Sequence, residues 1–129
     1  MITLKQLIQV APFPEETKNE LLQKAGTLSS DQVYELEDLC WTLISSEYQN
    51  KIRFEMQKNL LDSALNQKPS DFDIKKVEEK YLTELQQKFS ATGTDEKLED
   101  IREKLEEIGN KGPEQMTTDN NDTAPPNNN

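Results

Sequence analysis

The longest segment of this chain without glycine or proline lies between Gly26 and Pro69. Apolar residues recur within it at intervals of three and four, as they do on one face of an α-helix. At about 1.5 Å per residue, a helix of this length is longer than a small domain is wide. We therefore predict one long central helix against which the other elements pack.

Two helix starts carry the same sequence signature. Thr3 is followed three residues later by Gln6, and Ser29 is followed in the same way by Gln32. A hydroxyl residue with glutamine or glutamate at this spacing forms a capping box, in which each side chain bonds the other residue's backbone N–H. We predict that α-helices begin at both positions.

Glycine, proline and polar residues divide the rest of the chain. The predicted helices span residues 3–11, 14–25, 29–68, 71–90 and 94–108. The short connection around Pro69 makes the fourth helix an antiparallel neighbour of the third. The predicted fold is all-α, a small helical bundle built on one long central helix with an antiparallel return helix and a short charged terminal helix.

Apolar residues are concentrated in the first two thirds of the chain. We predict a helical core domain over 1–91, an amphipathic terminal helix over 92–109 and a disordered tail over 110–129. The tail contains two successive prolines and six asparagines, and it has too little apolar surface to offset the entropy lost on ordering.

The long helix has an apolar stripe that should face the core. We predict that its inward residues are buried and that Cys40 is a buried structural thiol beside a buried Trp41. The four residues chosen to define the inward face are Leu36, Leu43, Ile52 and Leu60.

The net charge of −10 and the absence of any basic segment argue against nucleic-acid and anionic-membrane binding. One cysteine cannot form an intramolecular disulfide. Polar residues interrupt the apolar N-terminal segment, so it does not resemble a signal peptide. These features predict a cytoplasmic protein.

The sequence nominates no catalytic, metal-binding or cofactor-binding residues. Histidine, the commonest general base and metal ligand, is absent. Asp71 and Asp73 resemble the start of a calcium loop, but Lys75 and Lys76 stand where an oxygen ligand and a glycine are required. We predict no cofactor and no small-molecule ligand.

Four apolar residues recur at intervals of three, four and three on the charged terminal helix, as in two heptads of a coiled coil. This seam can fold back on its own core, pair with a second copy or dock on a protein partner. We assign it to partner binding. The four residues are Leu98, Ile101, Leu105 and Ile108.

These observations favour a non-enzymatic protein–protein interaction or scaffold module. The alternative is an acidic decoy or inhibitor of a basic, nucleic-acid-binding partner, which the net charge of −4 on residues 92–109 supports. A third possibility is a small enzyme whose site the sequence does not reveal.

Overall fold

The computed structural model describes residues 2–109, and its regular secondary structure in that range is helical throughout. The tail that we predicted to be disordered, residues 110–129, lies outside the described residues. The predicted all-α fold on a long central helix is confirmed. The helices are α1 (Leu4–Val10), α2 (Glu15–Lys24, followed by a 3₁₀ turn at Ala25–Thr27), α3 (Ser30–Asn66), α4 (Ile74–Ala91) and α5 (98–109).

Both predicted capping boxes are present. At α1, Thr3 N–H donates to Gln6 Oε1 (2.8 Å) and Gln6 N–H donates to Thr3 Oγ1 (3.3 Å). At α3, Ser29 N–H donates to Gln32 Oε1 (2.9 Å) and Gln32 N–H donates to Ser29 Oγ (3.2 Å). These bonds satisfy backbone N–H groups that have no partner inside a helix, so local sequence determines where α1 and α3 begin.

The connection between α3 and α4 is longer than predicted. α4 begins at Ile74, where Asp73 is the N-cap and accepts a backbone hydrogen bond of 3.1 Å. The predicted start at residue 71 is therefore too early, because the side chains of Ser70 and Asp71, which could have capped a helix there, bond Asn59 of α3 instead. Ser70 Oγ donates to Asn59 Oδ1 at 2.7 Å, and Asn59 Nδ2 donates to Asp71 Oδ1 at 3.2 Å. These contacts fold the loop back onto α3.

α5 also begins later than the predicted start at Thr94. Thr94 is buried, and its N–H donates to Phe89 O at 3.4 Å, so it belongs to the turn that ends α4. Gly93 has φ +97°, a left-handed conformation that glycine adopts without steric cost. Gln86 Nε2 donates to Glu96 O at 3.1 Å and holds the segment before α5 against α4.

α4 is antiparallel to α3, as predicted. Three ion pairs join the two helices, and each step of four residues forward along α3 is matched by four residues back along α4. The pairs are Glu47–Lys88 at 3.9 Å, Lys51–Glu84 at 3.5 Å and Glu55–Lys80 at 3.0 Å.

The hydrophobic core lies where α1, α4 and α5 meet the first half of α3. Cys40 and Trp41 are buried there, as predicted, and the Trp41 and Phe89 ring centroids are 5.8 Å apart. α2 contributes no fully buried residue and packs at the edge. The buried apolar residues are Leu7, Ile8, Val10, Ala11, Cys40, Trp41, Ile44, Leu82, Leu85, Phe89, Ile101, Leu105 and Ile108.

The predicted inward face of α3 is partly wrong. Leu36, Leu43 and Ile52 are half-buried, and the side chain of Leu60 is 52% exposed. α3 carries apolar residues on several sides, so the three-and-four spacing joined residues from different faces into one stripe. Ile44, which faces the core, is 1% exposed.

Candidate interaction surface

The structure places the seam predicted for partner binding inside the chain's own core. Ile101, Leu105 and Ile108 are buried, and Leu98 is half-buried against the same cluster. The core therefore crosses the predicted boundary between residues 91 and 92. Assignment of the four residues to a partner stays a prediction, and it would require α5 to leave the bundle.

α3 extends well beyond this core. From Ser46 to Asn66 no residue of α3 is buried, whereas Cys40, Trp41, Ile44 and Ser45 are. The second half of α3, the following loop and the first two turns of α4 form a two-helix projection. We call residues 52–81 the arm and the other described residues the body.

One side of the arm carries large apolar side chains in contact with solvent. Phe54 is 64% exposed, Leu61 is 62% exposed and Leu65 is 73% exposed. Their spacing of seven and four residues places them on one face of α3. We call these three residues the stripe. The stripe residues line two shallow grooves. Phe54 lines one of them together with Leu43, and Leu61 and Leu65 line the other.

The sequence pattern alone did not distinguish the stripe from the core. Leu61 and Leu65 lie beside the residues of α3 that we predicted to face inward, and the sequence analysis did not single out Phe54. The usable signal was that one return helix follows the second half of α3, because a single helix packed along α3 covers one side of it and leaves its other faces open.

Polar contacts hold the two helices of the arm together. Glu55 Oε2 accepts hydrogen bonds from Lys80 Nζ at 3.0 Å and from Tyr81 Oη at 2.8 Å. Lys80 and Lys51 also lie over the Tyr81 ring, with Nζ 5.1 and 5.5 Å from the ring centroid. These contacts fix the position of α4 on one side of α3 and so leave the stripe uncovered on another.

The pKa values of this cluster depart from their ordinary values in directions that follow from the contacts. The hydrogen bond from Lys80, followed by that from Tyr81, lowers the pKa of Glu55 below 4.5. The hydrogen bond to Glu55 raises the pKa of Lys80 above 10.5. Since Glu55 is ionised more readily in the folded arm, its contribution to stability is present above about pH 4.5 and is lost as pH falls through the lowered value.

We expect the Glu55 carboxyl to titrate below its ordinary pKa in the folded protein. Tyr81→Phe removes one hydrogen bond to the carboxylate and should shift that pKa upward. Lys80→Gln should shift it further, because the hydrogen bond from the Lys80 ammonium lowers the pKa more than that from Tyr81. The measurement is an NMR titration of the side-chain carboxyl carbon. Titration of Glu55 at an ordinary pKa in the wild-type protein would contradict the geometry of this cluster.

A cleft of about 570 Å³ opens on the other side of the arm, between α3, α4 and α5. Tyr48, Ile52, Glu78 and Arg102 are among its lining residues. Partial burial, assisted by nearby Glu78, raises the pKa of Tyr48 to about 12. Its phenol is therefore protonated at neutral pH and can donate a hydrogen bond but cannot serve as a base.

Cys40 does not supply a reactive thiol. Burial raises the pKa of Cys40 to about 11, and the charge of Glu37 adds to this effect, so the thiolate is disfavoured at neutral pH. Within residues 2–109, no group of three or more His, Cys, Asp or Glu side chains is arranged to hold a metal ion. No helix in this part of the chain combines the length and apolarity needed to cross a membrane.

Six of the eight most exposed large apolar residues among those described lie in the arm. Comparison of the chain with protein-family models, with curated proteins and with solved structures gave no match.

Proposed function

We propose that this protein is a non-enzymatic protein-interaction module, which binds through the stripe on its arm to a helical protein surface with an apolar stripe of its own. The observation that carries the proposal is the exposure of Phe54, Leu61 and Leu65, each about two thirds open to solvent. Several large exposed apolar residues on one helical face are typical of interaction sites. Apolar residues spaced along one helical face are a common way for a helix to enter a partner's groove.

The structure of the arm supports this role. The Glu55–Lys80–Tyr81 contacts and the Asn59 contacts to the loop hold α4 and the loop against α3. A partner would therefore meet a helix that is already ordered, and binding would not have to offset the entropy cost of folding it.

Charge supports the alternative, an acidic decoy of a basic partner. With the seam in the core, α5 exposes acidic residues toward solvent, among them Glu99, Asp100, Glu103 and Glu106. A complex held by these charges would dissociate at about 0.5 M salt, where the screening length is only a few Å. A complex held by the stripe would persist.

The test is photo-crosslinking from the stripe in cells that express the full chain. A benzophenone amino acid replaces Phe54, and adducts are identified by mass spectrometry after illumination. We expect a discrete adduct that persists at about 0.5 M salt. The captured protein is then purified, and Leu61→Asp should weaken its binding to the chain at least about tenfold.

Position 87 is the control, because Gln87 is exposed on α4 within the body. The same photo-reactive residue there should give no adduct of that mass. Absence of any specific adduct from position 54 would overturn the proposed function. An adduct that disappears at high salt and is unaffected by Leu61→Asp would favour the acidic decoy instead.

A further inference from the structure

We propose that the stripe binds a second copy of this chain, with the two arms packed side by side in an antiparallel, two-fold arrangement. This inference rests on the proposed function and specifies which protein binds to the stripe.

The spacing along the stripe is self-complementary. Phe54, Leu61 and Leu65 recur at intervals of seven and four, as residues do along a coiled-coil seam, and Lys58 lies beside them. A two-fold axis through the middle of this segment places Phe54 of one copy opposite Leu65 of the other, and Lys58 beside the seam at the level of Leu61. Each contact then occurs twice, as a two-fold interface requires.

The charges beside the stripe are complementary across the same axis. Lys58 and Asp62 line one groove together with Leu61 and Leu65, so they lie on the same flank of the stripe. Among residues 2–109 Lys58 forms no ion pair within 4.0 Å, and its charge contributes to lowering the pKa of Glu55. The Asp62 carboxylate accepts from Asn66 Nδ2 at 2.7 Å. In an antiparallel pair equal flanks face each other, which brings Lys58 of each copy level with Asp62 of the other.

The distribution of net charge favours the antiparallel arrangement over the parallel one. The arm, residues 52–81, has six basic and six acidic side chains and is neutral, whereas the rest of residues 2–109 has eight basic and sixteen acidic side chains, a net charge of −8. Parallel packing would place two acidic bodies side by side. Antiparallel packing overlaps the neutral arms and puts the bodies at opposite ends, where their repulsion is weakest.

The size of the overlap predicts a reversible dimer. The part of α3 that lies in the arm, 52–66, is about 22 Å long at 1.5 Å per residue. Such an interface lies at or below the lower end of the roughly 1,200–2,000 Å² that stable complexes bury, so we expect a dissociation constant of about 10–100 µM.

The first experiment is analytical ultracentrifugation of the purified full chain from about 1 to 500 µM, a range that brackets the expected constant. The mass should rise from the 14.9 kDa of the monomer toward twice that value. Leu61→Asp should raise the dissociation constant at least about tenfold. Tyr34→Asp is the matched control, since Tyr34 is an equally exposed residue of α3 outside the arm, and it should leave the constant unchanged.

Charge exchange tests the two-fold contact directly. Lys58→Asp places two carboxylates opposite each other and should weaken the dimer, and Asp62→Lys should do the same with two ammonium groups. The double variant restores the opposite charges and should recover most of the affinity. Equal weakening in the double variant and in both single variants would overturn the proposed contact.

A distance measurement tests the direction of packing. Ser46→Cys introduces an exposed thiol at the body end of the stripe, and buried Cys40 leaves that thiol as the one accessible to a spin label in the native protein. Pulsed electron paramagnetic resonance should give a separation of about 40 Å between labels in the antiparallel dimer, from 27 residues of axial offset. A separation below about 20 Å would indicate parallel packing, since helices pack 8–10 Å apart, and would overturn the inference.

Failure of this inference is distinguishable from failure of the proposed function. A chain that stays at 14.9 kDa up to 500 µM overturns the dimer. If position 54 still crosslinks to a different protein, the proposed function stands with another occupant. If the crosslinked adduct has the mass of two chains, both proposals are supported.

Discussion

Phe89→Ala is expected to lower the free energy of unfolding by about 3–5 kcal/mol. Phe89 is fully buried at the centre of the core, and its ring lies 5.8 Å from that of Trp41. Removing the ring leaves a cavity between α3 and α4 that small rotations of the neighbouring side chains cannot fill. Urea unfolding measures the change, with the fluorescence of Trp41 and the far-UV circular dichroism as probes of one transition.

Phe54→Ala is the matched control for this prediction. It makes the same chemical change on α3, but Phe54 is 64% exposed, so the free energy of unfolding should change by no more than about 0.5 kcal/mol. The position of the core would be contradicted if the two variants had equal effects or if Phe89→Ala cost less than about 1 kcal/mol.

Leu98→Asp combined with Leu105→Asp is expected to lower the melting temperature of the whole described domain by more than about 10 °C. Leu105 is 4% exposed, and a carboxylate there would lose its hydration without gaining a partner. A loss of about 3 kcal/mol is a conservative value for such a change, and each kcal/mol corresponds to about 4–8 °C in a domain of this size. Circular dichroism melts provide the measurement.

Glu99→Asp combined with Glu106→Asp is the control on the same helix. Both positions are exposed, so the melting temperature should move by no more than a few degrees. If the aspartates at 98 and 105 abolished a protein interaction and left the melt unchanged, α5 would act as a partner-binding helix and its packing in the core would be incorrect.

Much of the local structure of this chain could be predicted from sequence. The capping boxes at Thr3 and Ser29 and the long segment before Pro69 determine where α1 and α3 begin and why α3 is long. Helix formation and capping depend on residues within one or two turns, so adjacent sequence contains the required information. Burial of Cys40 and Trp41 was also predictable, because they lie in the most apolar part of that segment.

Contacts between distant parts of the chain were decided by the tertiary structure. The side chains of Ser70 and Asp71 bond Asn59, so they do not cap α4, and Thr94 is buried at the end of α4. Each of these residues could have capped a helix. Ser70 and Asp71 instead bond Asn59, and Thr94 is buried, which local sequence does not reveal.

Local sequence also could not distinguish the buried seam on α5 from the exposed stripe on α3. The seam on α5 and the stripe on α3 have similar helical spacing, yet Leu105 is 4% exposed and Leu65 is 73% exposed. Spacing determines that apolar residues share a helical face. Which face is covered depends on where the other helices lie, and here α4 packs on a different side of α3 from the stripe while α5 packs in the body. The sequence by itself determined the helices and their amphipathic faces, and only their packing decided which face became core and which stayed exposed to solvent.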